Sequence, residues 1–185
     1  DLLENNMDAA PIYPIIHLKG EDIEVAITHA RQYGEEYYSF VNGQHTTQGG
    51  THQNAFRQAY VKVIRDYFNK NYEAVDVRAS IVAAVAIKVM EPVFESQTKT
   101  KLGSNEIEPG GKSMAAFIND FLKEKLDNFL HKNPAVAEEI EKKIKDLERM
   151  KDSLSQFAQC CEDKDIPLSE CPVLECFIEL GGCCS

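Results

Sequence analysis

Apolar and polar residues alternate along the first part of the chain, a pattern typical of strands that bury one face. Residues 15–19 and 23–27 predict two such strands, and the short turn between them predicts a hairpin. The aromatic-rich residues 37–41 predict a third strand, which runs into the tight-turn dipeptide at 42–43. Residues 44–50 then read as a polar loop.

The period of the pattern changes at Thr51. Apolar pairs recur every three to four residues from Ala55 to Phe68, which predicts an amphipathic helix. Residues 81–90 form a nearly unbroken apolar run, as expected of a strand in the centre of a sheet. A sheet with one packed helix predicts an α+β domain.

Two more helices are predicted after residue 111. A helical pattern runs from Met114 to Lys132, and Asn133 and Pro134 then fit the N-cap and first residue of a new helix. That helix keeps only a narrow apolar stripe among many Glu and Lys residues, which is typical of a long, solvated helix.

The composition fits a folded protein, with 43% hydrophobic and 27% charged residues. A formal net charge of −10 argues against nucleic-acid binding that is dominated by electrostatic attraction.

The sequence has neither an apolar run of bilayer length nor a signal peptide, so we expect no membrane partner. Because the first residue is not Met, we expect a piece of a longer protein.

All six cysteines fall within residues 160–185. The cysteine-free body favours a reducing, cytoplasmic setting, whereas such a tail suits a disulfide scaffold or a metal cluster. The cysteine spacing lacks paired C-x₂-C knuckles, so zinc is weakly supported and the nature of the tail stays open. We therefore divide the chain into an α+β domain (1–111), a helical extension (112–158) and a cysteine-rich tail (159–185) of uncertain nature.

The loop after the apolar strand contains the candidate chemistry. Gln97-Thr98-Lys99 could contact phosphate, with Lys99 as a point charge and Gln97 as a neutral donor. The plainer interpretation is a solvated turn whose lysines face water.

Four colinear motifs resemble the B subunits of bacterial type II DNA topoisomerases, over roughly residues 11–150. They are the strand entry Tyr38-Ser39-Phe40-Val41-Asn42, the turn Thr46-Thr47-Gln48-Gly49-Gly50-Thr51-His52, the segment Asp76-Val77-Arg78, and Gln97-Thr98-Lys99, which is similar to the family's QTK loop. The resemblance is closest to the B subunit of topoisomerase IV, and the B subunit of DNA gyrase is a near relative. The sequence does not decide between them.

The resemblance implies a transducer domain with a fold like ribosomal protein S5 domain 2, followed by long C-terminal helices. It implies that Lys99, with Gln97 beside it, reaches the γ-phosphate of ATP. The implied function is to couple ATP binding and hydrolysis to DNA strand passage. The implied partners are the ATPase domain of the same polypeptide, a second B subunit, the A subunit and double-stranded DNA.

Several family features are missing. The motifs that bind adenine and activate water would lie upstream, so we expect the isolated chain to be inactive, with ATP bound mainly by the missing domain. We expect Mg²⁺ in the full-length enzyme but no metal site here, because the Asp of the family's Glu-Gly-Asp segment is absent near Phe177. Gly49 and Gly50 are more readily explained by turn geometry, and His52 by local hydrogen bonding, than by catalysis.

Basic candidates for contacting DNA are scattered over Arg57, Lys62, Arg65 and Arg78, and a solvated helix face explains most of them. Two other functions stay open. One is a stand-alone S5-like module that binds RNA or protein, and the other is a small cysteine-rich metal-binding protein.

Overall fold

A computed structural model describes residues 2–7 and 9–162, with side chains as far as residue 155. The predicted α+β class is confirmed. The elements, in chain order, are α1 (Leu2–Asn6), β1 (Ile16–Lys19), β2 (Ile23–His29), β3 (Glu36–Val41), β4 (Gln44–His45), α2 (Thr51–Phe68), α3 (Ala74–Arg78), β5 (Ile81–Ile87), α4 (Met114–Lys132) and α5 (Pro134–Glu162).

The strands form one five-stranded sheet in the order β1-β2-β5-β3-β4. The predicted β1–β2 hairpin is confirmed, with its turn closed by the Gly20 amide donating to the Ile23 carbonyl at 2.8 Å. β5 lies between β2, to which it is antiparallel, and β3, to which it is parallel. The apolar run at 81–90 is therefore the central strand, as predicted, although pairing ends at Ile87.

The polar stretch after β3 is not all loop. Gln44 and His45 pair with Val41 and Phe40, so the prediction of a loop over residues 44–50 is wrong for its first two residues. Asn42 and Gly43 link the two strands with φ values of 50° and 81°, the positive angles that a two-residue type I′ turn requires.

The core lies between one face of the sheet and α2. Phe56, Tyr60 and Ile64 of α2 are completely buried, and the sheet contributes residues such as Val25 and Ile27 that are equally inaccessible. α4 packs along α2. Within the apolar pattern that the sequence predicted, Met114, Ile118, Leu122, Leu126 and Leu130 are buried, whereas Phe117, Phe121 and Phe129 are only half-buried.

The described residues up to 141 form one compact unit, which includes α4, and the described residues from 142 onward belong to a second. The functional division of the chain at residue 111 stays a prediction. α5 begins at Pro134 as predicted, and in its described later part Met150 and Leu154 are 62% and 68% exposed. The predictions on the cysteine-rich tail fall on side chains outside the described residues.

Within the described part of the chain, no helix is both long and apolar enough to cross a membrane.

Candidate functional site

The QTK loop, residues 95–101, is closed at its base by main-chain pairing. Phe94 and Leu102 form an antiparallel bridge, and the Glu95 amide donates to the Lys101 carbonyl at 3.0 Å. On the side away from the loop tip, the Gly103 amide donates to the Val93 carbonyl at 2.8 Å. The loop is therefore a short, closed projection and not an open coil.

The tip of the loop is a turn that presents its side chains to solvent. The Lys99 amide donates to the Ser96 carbonyl at 3.1 Å, so Gln97 and Thr98 occupy the centre of the turn. Both candidate side chains, Gln97 and Lys99, are exposed. Lys99 has a φ of 53°, a left-handed conformation that costs energy for a residue with a Cβ atom.

The two lysines of the loop differ in their surroundings. The Lys101 ammonium lies 2.9 Å from the Glu95 carboxylate and forms an ion pair. The Lys99 side chain has no hydrogen-bond or ion-pair partner among residues 2–7 and 9–155. Its charge is available to an anion without the loss of an existing contact.

The QTK loop lies against the GGTH turn, residues 46–52, although residues 53–94 separate the two motifs in the sequence. Gly50 and Leu102 form a parallel bridge, and Leu102 is completely buried. The Gln48 amide donates to the Thr100 carbonyl at 2.9 Å. Motifs that were recognised separately in the sequence thus form one local structure.

The paired glycines have the turn geometry expected from the sequence. Gly49 and Gly50 have φ values of 71° and 139°, in the region that L side chains rarely adopt. Thr51 then begins α2, with its amide donating to the Leu102 carbonyl at 3.1 Å.

A family model for DNA gyrase B matches residues 3–157. The chain belongs to the DNA gyrase B family. The B subunit of DNA topoisomerase 4 from Borreliella burgdorferi is 42% identical over 144 residues, which are 78% of this chain and 23% of that protein. The B subunit of DNA gyrase from Streptococcus pyogenes is 38% identical over 142 residues, covering 72% of this chain and 21% of that protein. The chain thus spans about a quarter or less of these relatives.

Solved structures of the gyrase B family share the fold. The 43K ATPase domain of Thermus thermophilus gyrase B, in complex with an aminocoumarin, superposes with a TM-score of 0.67 at 21% identity, over 84% of this chain and 44% of that one. The topoisomerase IV ATP-binding domain of Francisella tularensis gives a TM-score of 0.58 at 24% identity, over 81% of this chain and 42% of that one.

His52 of the GGTH turn is buried and makes a local hydrogen bond, as the sequence predicted. Thr46 Oγ1 donates to the Ser39 carbonyl at 2.9 Å and lies 3.3 Å from His52 Nε2, so this nitrogen of the neutral imidazole is the donor to Thr46. Burial lowers the pKa of His52 to about 4. Its Nδ1 has no partner within the described residues, so a second proton would be unsatisfied.

Two of the basic candidates meet at a carboxylate that the sequence analysis missed. Glu35 lies 3.0 Å from Arg57 and 3.1 Å from Arg78, and it accepts a hydrogen bond from the Tyr37 hydroxyl at 2.7 Å. Burial alone would raise the pKa of Glu35, but the hydrogen bonds from Tyr37 and Arg78 and the charges of Arg78 and Arg57 lower it below its ordinary value.

The interpretation of these arginines as a solvated helix face is therefore wrong for Arg57 and Arg78. Arg65 is also engaged, since its Nε donates to the Tyr72 carbonyl at 2.7 Å. Only Lys62 keeps the exposed position that the interpretation assigned to it. The sequence carried no signal for Glu35 beyond its place before an aromatic strand.

Among the described residues, no group of three or more His, Cys, Asp or Glu side chains could hold a metal ion.

Proposed function

We propose that this chain is the transducer segment of the B subunit of an ATP-dependent type II DNA topoisomerase, with an S5 domain 2-like fold. In this proposal the QTK loop senses the γ-phosphate of ATP through Lys99, with Gln97 as a neutral second donor. The chain couples ATP binding and hydrolysis to DNA strand passage by the whole enzyme.

The observation that carries the proposal is the difference between Lys99 and Lys101. Both lie in the same exposed loop, but the Lys101 ammonium is paired with Glu95 at 2.9 Å. Lys99 has no such partner within the described residues, and its left-handed backbone fixes the direction in which its side chain leaves the loop. An ammonium without an existing partner can bind the charge of a transferring phosphoryl group without first breaking a contact.

The rest of the active site lies outside this chain in the proposal. An ATPase domain of the same polypeptide holds most of the nucleotide, and Mg²⁺ belongs to the full-length enzyme. A second B subunit, the A subunit and double-stranded DNA complete the assembly. The likeness of the fold to part of the 43K ATPase domain of Thermus gyrase B, of which this chain covers 44%, supports the first of these points, that an ATPase domain holds most of the nucleotide.

The proposed signal depends on the nucleotide state in which Lys99 contacts the γ-phosphate. A lysine that reaches the γ-phosphate has a partner in the ATP state and loses it in the ADP state, so the position of the loop depends on which nucleotide is bound. The helices after residue 111 would carry this change towards the DNA.

The test is steady-state ATP hydrolysis and DNA relaxation by reconstituted holoenzyme with single substitutions in the full-length B subunit. Lys99→Ala should lower ATP turnover by about 10²-fold or more, the scale of losing one preorganised transition-state donor. Lys101→Ala is the matched control and should have a much smaller effect, with Gln97→Ala between the two. Near wild-type values for Lys99→Ala in both assays would contradict the proposal.

A further inference from the structure

We infer that the GGTH turn is the seat that positions the QTK loop, and that Gly50 is a positioning residue for Lys99. The inference rests on the proposed function of Lys99 and adds a residue that acts through the loop.

Three main-chain hydrogen bonds join this seat to the QTK loop and to the residue that follows it. The amides of Gln48 and Thr51 donate to the carbonyls of Thr100 and Leu102 at 2.9 and 3.1 Å, and the Leu102 amide donates to the Gly49 carbonyl at 3.1 Å. The first of these contacts lies one residue beyond Lys99. The seat therefore fixes the chain directly next to the sensing residue, whose own side chain stays exposed.

Gly50 is required by close backbone approach as well as by its φ angle. A Cβ atom at this position would lie 2.5 Å from the Leu102 carbonyl oxygen and 2.6 Å from its amide nitrogen. Backbone atoms cannot rotate aside as a side chain can, so any other residue must displace the returning strand of the loop.

The neighbouring glycines provide the contrast. The atoms nearest to a Cβ atom at Gly49 would belong to the side chain of Gln53, at 2.6 Å, and that side chain can move. Gly43 shares the positive φ, at 81°, but a Cβ atom there would have nothing within 4 Å. Gly43→Ala should therefore strain the backbone without displacing the QTK loop, which makes it a control for Gly50→Ala.

The seat is itself held firmly. Thr51 is the first residue of α2, whose Phe56 and Tyr60 lie completely buried in the core. The Thr51 hydroxyl also donates to the Ser104 carbonyl beyond the loop. The QTK loop is thus bonded to the N-terminal end of a helix whose position is fixed by the core. We therefore expect a small displacement of the backbone at Gly50 to displace Lys99 as well.

The experiment uses the full-length B subunit reconstituted with the A subunit, and measures kcat and KM for ATP hydrolysis. Gly50→Ala should lower kcat by roughly tenfold to a hundredfold, the cost of misplacing a reacting group by about 1 Å. KM should change by much less than kcat, because the attraction of the ammonium for the γ-phosphate oxygens grows as charge develops on them in the transition state. Gly43→Ala, the strain control, should leave kcat within about twofold of wild type.

A double-mutant cycle separates positioning from a general structural role. In a Lys99→Ala background, Gly50→Ala should lower kcat by no more than about a further twofold, since both changes remove one interaction. Full additivity of the two losses would overturn the inference, and so would an unchanged kcat for Gly50→Ala alone. If Gly50→Ala does not fold, Thr51→Val replaces it, because valine removes the hydroxyl that donates to the Ser104 carbonyl. This variant should lower kcat by roughly twofold to tenfold, and its loss should again not add to that of Lys99→Ala. An unchanged kcat for Thr51→Val then overturns the inference.

Hydrogen exchange of residues 95–104 distinguishes failure of the inference from failure of the proposed function. Faster exchange in Gly50→Ala, together with wild-type turnover of Lys99→Ala, would show that the seat anchors the loop but that Lys99 has no role in catalysis. Unchanged exchange in Gly50→Ala would show that the seat does not hold the loop, whatever Lys99 does.

Discussion

The Tyr72 hydroxyl donates a hydrogen bond to the Glu141 carboxylate at 2.8 Å, which fastens the segment between α2 and α3 to the first part of α5. The Lys70 ammonium lies 2.7 Å from the same carboxylate oxygen. The main chain of the same residue is tied to α2, because Arg65 Nε donates to the Tyr72 carbonyl at 2.7 Å. Main-chain and side-chain contacts of Tyr72 therefore link two helices.

We predict that Tyr72→Phe lowers the free energy of unfolding by about 1–2 kcal/mol, because it removes a hydrogen bond to a charged acceptor from a residue that is only 4% exposed. Lys70→Ala should lower it by much less, since the Lys70 side chain is 47% exposed and solvent screens its charge. Urea unfolding of the two variants measures both values. Equal losses of unfolding free energy in the two variants would show that the Tyr72 hydroxyl stabilises the contact with Glu141 no more than the exposed Lys70 ammonium does.

His52 makes stability depend on pH. Its pKa is about 4 in the folded chain, against about 6.5 when unfolded, so the unfolded chain takes up the proton first as the pH falls. This group's contribution is complete above pH 6.5 and is lost as the pH falls towards 4. Between pH 7 and pH 5 the loss should be about 2 kcal/mol.

The measurement is the free energy of unfolding as a function of pH for wild type and His52→Gln. The variant starts less stable but cannot be protonated, so its curve should be flatter by about the same 2 kcal/mol over this range. Parallel curves for the two proteins would show that His52 does not titrate differently on unfolding.

The carboxylate of Glu35 should matter more than those of exposed pairs. Glu35→Gln leaves the guanidinium groups of Arg57 and Arg78 next to each other without their shared counter-charge, so we expect a loss of about 1–3 kcal/mol at pH 7. The matched control is Asp22→Asn, which removes an exposed pair with Lys88 at 3.7 Å and should cost about 0.5 kcal/mol or less.

The pH dependence gives a second check on Glu35. Because the pKa of Glu35 is lowered on folding, its stabilisation is present above the ordinary carboxyl pKa and is lost as the pH falls through the lower, folded value. Glu35→Gln should therefore lose less stability than wild type on acidification below about pH 4.5. An acid limb as steep as that of wild type would contradict the account of this cluster.

Local periodicity predicted the elements whose order depends on one buried face. The three- to four-residue repeat in α2 and the unbroken apolar run of β5 correspond to residues that are nearly all buried. The two-residue strand Gln44–His45 could not be predicted, since both residues are polar and exposed and only their pairing with β3 makes them a strand.

The candidate site could be predicted residue by residue but not as an arrangement. The motifs identified Gln97, Lys99 and the glycines, whereas the bridge between Gly50 and Leu102 joins positions far apart in the sequence. No pattern along the chain encodes such a contact, because it depends on how β5 and α2 are placed by the sheet. The ion pair that distinguishes Lys101 from Lys99 was missed for a related reason, because closure of the loop is what brings Glu95 back to Lys101.

Hydrogen exchange of the QTK loop in the full-length B subunit tests the central proposal most directly. The loop should exchange more slowly with a non-hydrolysable ATP analogue than without nucleotide, and ADP should give no such protection, because only the triphosphate offers a γ-phosphate to Lys99. Lys99→Ala should abolish the difference, while Lys101→Ala should keep it. Equal protection by ADP and the analogue, or a difference that survives in Lys99→Ala, would contradict γ-phosphate sensing by this loop.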